Sequence, residues 1–103
     1  MFKLSMSLKE YERLRQSLSE IHPEILFEVV SCDYALAALG FVSSPPCEFT
    51  VNVTNDKLEE LLDELMDLEI NAVGLPEHTE AYRRYQKYGW MWDVLRFAEP
   101  MTP

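Results

Sequence analysis

The residues of this chain that are able to do acid–base, nucleophilic or metal chemistry do not fall at catalytic spacings. Histidine is the side chain best suited to acid–base work at neutral pH, and His22 and His78 are both predicted at helix starts. The spacing of Cys32 and Cys47 matches neither a zinc site nor a redox dithiol. No segment matches a nucleophile or phosphate-loop motif. The sequence therefore predicts no catalytic residue, no metal site and no cofactor, and it favours a protein that is not an enzyme.

The chemical state of the two cysteines depends on the compartment. No segment approaches the roughly 20 apolar residues of a membrane helix, and the N-terminus lacks the basic region and apolar stretch of a secretory signal. We therefore predict a cytoplasmic protein with no membrane partner. In that reducing compartment Cys32 and Cys47 are expected to be free thiols, with a disulfide as the alternative.

Acidic residues dominate the charge of the chain. Nine Lys and Arg against eighteen Asp and Glu give a formal net charge of −9, which repels nucleic acid and anionic membranes. The largest surplus falls in 56–72, where a predicted helix carries acids along one side. Four of these acids form what we call the acidic ridge: Glu60, Asp63, Glu64 and Asp67. Like charges four residues apart repel, so we predict that the ridge binds a basic partner; a solvated helix face is the alternative interpretation.

Aromatic residues concentrate in segment 82–92, Tyr-Arg-Arg-Tyr-Gln-Lys-Tyr-Gly-Trp-Met-Trp. Basic residues interleaved with aromatics can bind single-stranded nucleic acid, but the net charge opposes this and no nucleic-acid partner is predicted. One helical stripe of this region is assigned to the core: Ala81, Tyr85, Tyr88, Trp92 and Leu95. The helix is predicted to break at Gly89. Trp90 lies off the stripe beside Met91, so these two residues are predicted to be partner-binding contacts.

Two segments of the chain resemble each other and predict an internal repeat, over residues 1–40 and 48–98 of a single domain. Residues 2–6 and 49–53 alternate apolar and polar side chains, as a strand with one buried face does. Each of these strands is followed by apolar residues at helical spacing. The proline-containing segment 41–47 is predicted to be an extended linker between the two halves.

Capping residues predict where the helices begin and end. Ser7 and Thr54 are placed to cap the first helix of each half. A proline then introduces a second predicted helix in each half, over 23–39 and from about Glu77, and Gly40 fits a helix C-terminus. The predicted fold class is therefore α+β, a helix-dominated duplicated β-α-α unit with a small two-stranded sheet.

The β-branched residues of 25–31 also fit a buried strand, which leaves a second architecture open. That architecture is a ferredoxin-like β-α-β-β-α-β sandwich, in which 25–31 and 70–74 are further strands and a tail helix starts near Glu77. A strand at 25–31 inside a four-stranded sheet is the observation that distinguishes the two.

The functional hypothesis that follows is a small cytoplasmic protein-interaction or regulatory module without catalysis. The first alternative is a small-ligand-binding protein or enzyme with a site between the repeats or between subunits. The second alternative is an acidic inhibitor or immunity-type protein that masks a basic partner. Because the predicted strands have open edges and Lys3 is their only basic residue, a homodimer is also predicted.

Overall fold

A computed structural model gives the fold of residues 1–100 as four strands and five helices. In chain order they are β1 (Phe2–Ser7), α1 (Leu8–Ile21), β2 (Phe27–Cys32), α2 (Tyr34–Ala38), β3 (Pro46–Val51), α3 (Asn55–Ala72), α4 (Glu80–Tyr88), α5 (Trp90–Leu95) and β4 (Glu99–Pro100). The strands of the sheet are antiparallel to their neighbours. The predicted α+β class is confirmed.

The sheet has four strands in the order β2-β3-β1-β4. β1 pairs with β3 along its whole length, from Phe2 opposite Val51 to Ser7 opposite Pro46. β2 pairs with the other side of β3, and the short strand β4 pairs with β1. The predicted two-stranded sheet is therefore wrong, because the two predicted strands are only its centre and β2 and β4 extend it.

The helix predicted over 23–39 is also wrong, since most of this segment is β2 and the short helix α2. The β-branched run of β2 outweighs the helix propensity of the alanines that follow it. β2 lies close to the alternative prediction of 25–31, and the order and connectivity of the strands match the ferredoxin-like alternative. The strand predicted there at 70–74 is not found, because α3 continues to Ala72 and the fourth strand is Glu99–Pro100. That the two halves superpose stays a prediction.

The chain divides into two compact units, and the first comprises, within the described residues, Met1–Val53 together with Glu99 and Pro100. An aromatic cluster lies in its core. The ring centroid of Phe49 lies 4.5 Å from that of Tyr11 and 6.1 Å from that of Phe27. Other buried apolar side chains of this unit include Phe2, Leu4, Leu14, Leu18 and Val51. The period-two pattern of β1 and the helical stripe of α1 therefore bury the faces that their sequences predict.

The second compact unit, Thr54–Ala98, contains α3, α4 and α5. One face of α3 is buried, at helical spacing: Leu58, Leu61, Leu65 and Ala72. Gly89 separates α4 from α5, so the predicted break in the last helix is confirmed. Met91 and Leu95 are the buried side chains of α5.

Side-chain caps set the starts of three helices. The hydroxyls of Ser7 and Thr54 each accept a hydrogen bond at 3.2 Å from the N–H three residues further along, at the starts of α1 and α3 as predicted. Thr79 caps α4, which begins directly after it and not near Glu77. His22 lies at the end of α1, so its predicted position at a helix start is wrong.

Cys32 and Cys47 form a disulfide bond, so the predicted free thiols are wrong. The two residues lie opposite each other in the β2–β3 pairing, with their Cα atoms 4.1 Å apart. The physical reason is the strand that the helix prediction missed, because antiparallel pairing brings the end of β2 beside the start of β3. The bond closes a loop, 33–46, that contains α2.

Candidate functional site

Exposed apolar side chains of the first unit concentrate in β2, in α2 and in the residues that flank them. We call these residues the β2–α2 patch: Leu26, Val29, Val30, Tyr34, Leu39, Phe41 and Val42. Their exposed fractions range from 38% at Val42 to 75% at Phe41. Extensive apolar surface on a folded protein commonly marks a site for another macromolecule. The patch is therefore the first candidate site.

The backbone that carries the patch is anchored at both sides of the loop 33–46. At its base, beside the disulfide, the Asp33 N–H donates a hydrogen bond to the Pro46 carbonyl at 2.9 Å. Two residues before Pro46, Ser44 Oγ accepts a hydrogen bond at 2.9 Å from the N–H of Lys9 in α1. These contacts fix the base of the loop that carries part of the patch.

β2 forms one edge of the sheet, because within residues 1–100 only β3 pairs with it. The strand contains neither proline nor a basic residue, and Glu28 is its only charged side chain. The pairing register shifts between Val29 and Ser31, so Val30 lies in a bulge, which adds local twist. The edge is thus protected by one charge and one bulge, which are modest obstacles to an incoming strand.

A shallow cavity of about 320 Å³ lies at the start of β2. It is lined by Met1, Leu26, Phe27, Glu28, Thr50 and Asn52. The Asn52 N–H donates a hydrogen bond to the Leu26 carbonyl at 3.0 Å, which fixes the backbone at its rim. The cavity has room for a side chain of a bound segment beside Leu26 of the patch.

The acidic ridge lies on α3, on the side opposite the buried leucines. Its members are exposed apart from Glu64, which is half-buried. The helix therefore presents four carboxylates along one strip of surface. Partner binding by the ridge stays a prediction.

Trp90 and Met91 differ in their accessibility. Met91 is completely buried, with 0% of its surface exposed, so it contributes to the core of the second unit and not to a contact surface. Trp90 is half-buried, and its Nε1–H donates a hydrogen bond to the Lys87 carbonyl at 2.9 Å. Of the stripe assigned to the core, only Leu95 is fully buried.

The second unit contains a half-open cleft of about 440 Å³ that involves α3, α4 and α5. Its lining includes three aromatic rings, two carboxylates and one aliphatic side chain: Tyr85, Trp90, Trp92, Glu69, Asp93 and Leu65. Sequence reasoning missed this cleft because it assigned Tyr85 and Trp92 to the core. The sequence feature that could have indicated the cleft is the high density of aromatic residues in 82–92.

The two histidines lie outside the helices and strands. His22 Nδ1 is 3.0 Å from a carboxylate oxygen of Glu24, directly after α1. His78 is exposed in the turn before α4. In residues 1–100 no group of three or more His, Cys, Asp or Glu side chains is arranged to hold a metal ion.

Comparison with known proteins adds no functional assignment. The chain matches no protein-family model, no curated protein and no solved structure.

Proposed function

We propose that the protein is a non-catalytic interaction module that binds an extended segment of a partner protein along the outer edge of β2. The observation that supports this proposal is the β2–α2 patch, a set of exposed apolar side chains on and beside an edge strand. An edge strand offers its backbone N–H and C=O groups to an incoming strand, and side-chain contacts then supply specificity.

The charge around β2 indicates which kind of segment fits it. Glu28 lies in β2, and Glu24 and Asp33 lie before and after it. The basic residues of the first unit lie on β1 and α1: Lys3, Lys9, Arg13 and Arg15. An occupant with apolar residues on one face and basic residues between them complements both the patch and these carboxylates. A second copy of the chain is less favoured, because it brings the same carboxylates close to their own equivalents.

The test uses a short peptide of alternating valine and lysine, with an alternating valine and glutamate peptide for comparison. Binding is measured by fluorescence anisotropy, and the site is located by hydrogen exchange of the β2 amides. Val30→Lys places a cation on the edge and should weaken binding of the lysine peptide about tenfold or more. Val73→Lys makes the same change at an exposed valine outside the patch and should leave binding unchanged.

Two results contradict this proposal. One is equal binding of the two peptides, and the other is equal weakening by Val30→Lys and Val73→Lys. Protection of the β2 amides that rises with protein concentration in the absence of peptide identifies a second copy of the chain as the occupant.

A second candidate function is that of an acidic inhibitor or regulator that covers a basic site on its partner, and the acidic ridge favours it. Four carboxylates along one helix face attract a basic surface at long range and speed its encounter with the chain. This role is compatible with a second contact at β2.

The cytoplasmic location stays a prediction, and the Cys32–Cys47 bond bears on it because such bonds are rare in reducing compartments. None of the helices within residues 1–100 is both long and apolar enough to cross a membrane. Alkylation of the protein taken directly from cells, before and after reduction, measures the state of the cysteines. The bond leads us to expect blocked cysteines before reduction, which would contradict the cytoplasm; two alkylated thiols would show that the bond is absent in the cell and would support the cytoplasm.

A further inference from the structure

The cleft of the second unit brings together groups that attract cations. Tyr85, Trp90 and Trp92 line it, and the face of an aromatic ring attracts a cation that lies within about 6 Å of the ring centroid. The carboxylates of Glu69 and Asp93 line the same cleft. Among the described residues, its lining includes no lysine, arginine or histidine. The cleft is therefore aromatic and acidic at once.

The Tyr85 ring owes its position to the glycine beside it. Gly89 has a φ of −59°, which any residue adopts, so its conformational freedom is not what this position requires. A Cβ at position 89 would lie 2.5 Å from Tyr85 Cδ1. The absence of a side chain at Gly89 is what allows the ring to lie against the backbone at the cleft wall.

The two tryptophans are also held by contacts with their neighbours. The Trp90 Nε1–H donates to the Lys87 carbonyl at 2.9 Å, which orients that indole. The Arg96 guanidinium carbon lies 4.9 Å from the centroid of the Trp92 ring. Arg96 does not itself line the cleft, but its guanidinium covers one face of the Trp92 ring, so a cation in the cleft has the other face of that ring. Rings held in this way lose little conformational entropy when a ligand binds.

We propose that this cleft is a binding site for a weakly hydrated organic cation, that is, a methylated ammonium or a guanidinium head group. A small, strongly hydrated ion retains its water shell, so only the carboxylates attract it and the rings contribute little. A methylated ammonium is more weakly hydrated and places its methyl groups against the aromatic rings. The site is independent of the β2 edge and uses none of its residues.

Intrinsic fluorescence is a direct probe of the cleft, because the chain contains two tryptophans and both line it. The protein is titrated with choline and with 3,3-dimethylbutanol, an uncharged molecule of nearly the same shape. Choline should give a saturable change in fluorescence, and the uncharged molecule should bind about tenfold more weakly or worse. Ligand-methyl NMR repeats the titration for any binding that leaves the fluorescence unchanged.

Paired variants test the carboxylates. Glu69→Gln with Asp93→Asn removes both cleft charges and should weaken choline binding about tenfold. Glu60→Gln with Asp63→Asn removes the same charge from the acidic ridge, whose members do not line the cleft, and should change the affinity less than about twofold because solvent and salt screen charges at a distance. Far-UV circular dichroism confirms that each pair is folded.

A peptide with a trimethylated lysine distinguishes the two sources of such a cation. Tighter binding of this peptide than of choline identifies a protein side chain as the ligand, and the opposite order identifies a free small molecule; both support the site. Equal affinity for choline and its uncharged counterpart, or equal losses in the two variant pairs, overturns the proposal. So does the absence of a saturable change by both fluorescence and NMR in the wild-type protein.

Discussion

Gly89 shows how packing decides the identity of one residue. The position lies between two helices and has helical backbone angles, where alanine is intrinsically favoured over glycine by about 1 kcal/mol. A Cβ here would lie 2.5 Å from the Tyr85 ring and 2.7 Å from the Tyr85 carbonyl oxygen. Contacts this short require the ring and the backbone to move, so glycine is the residue that fits.

Gly89→Ala should lower the free energy of unfolding by up to about 2 kcal/mol, because overpacking costs about 1–3 kcal/mol and helix propensity returns only about 1 kcal/mol of this. Urea unfolding followed by circular dichroism measures the change. In a Tyr85→Ala background the same substitution should cost less, since the ring is gone. Arg83→Ala, on the exposed face of α4, is the control and should stay within about 0.5 kcal/mol of wild type. A stabilised Gly89→Ala variant would contradict this account of the cleft wall.

The disulfide bond between β2 and β3 stabilises this pair of strands. Replacement of Cys32 by Ser and Cys47 by Ala opens a loop with a sequence separation of 15 residues. The loss of this constraint on the unfolded chain should lower the free energy of unfolding by about 3 kcal/mol. Urea unfolding with and without a reductant measures it. The reductant should lower the stability of the wild-type protein and leave that of the double variant unchanged; equal stability of wild type with and without reductant contradicts the prediction.

The elements that the sequence predicts well are those whose pattern has a single interpretation. β1 and β3 lie within two or three residues of their predicted positions, and Ser7 and Thr54 cap the helices that follow them. Segment 27–32 has two interpretations, and the decisive fact, its pairing with β3, is not local. Gly40 does have the positive φ of 81° expected after a helix, but the helix before it is only α2. A glycine that ends a helix therefore does not indicate at which residue that helix begins.

The sequence predicts a candidate site only where the site depends on the pattern of a single segment. The acidic ridge depends on the spacing within one helix, and its exposure on α3 follows from that spacing alone. The predicted stripe with Tyr85 and Trp92 crosses the break at Gly89. After the break Met91, and not Trp92, is the fully buried residue. The cleft and the β2–α2 patch depend on contacts between different helices and strands. The periodicity of a single segment cannot predict such contacts.

The net charge of −9 attracts any basic molecule to the chain, whichever part of the surface it meets. A test of the acidic ridge must therefore distinguish binding at the ridge from attraction by the net charge. Reversal of the ridge in pairs to lysine, Glu60 with Asp63 or Glu64 with Asp67, should leave the fold intact and weaken binding of an oligolysine peptide about tenfold. The control reverses two exposed acids outside the ridge, Glu12→Lys with Glu77→Lys, for the same change in net charge. Isothermal titration calorimetry measures both. Equal losses show that only net charge matters and exclude the ridge as a site.

Salt dependence distinguishes the two occupants considered for the edge of β2. Between 0.01 M and 1 M salt the Debye length falls from about 30 Å to about 3 Å. Two chains that each carry −9 repel each other, so the predicted homodimer should strengthen as salt rises. The valine and lysine peptide is attracted to Glu28 and its neighbours, so its binding should weaken over the same range. Sedimentation equilibrium measures the first and fluorescence anisotropy the second, each repeated with Val30→Lys. A dimer that persists in Val30→Lys does not use this edge, and peptide binding that strengthens with salt removes the role of charge in choosing the partner.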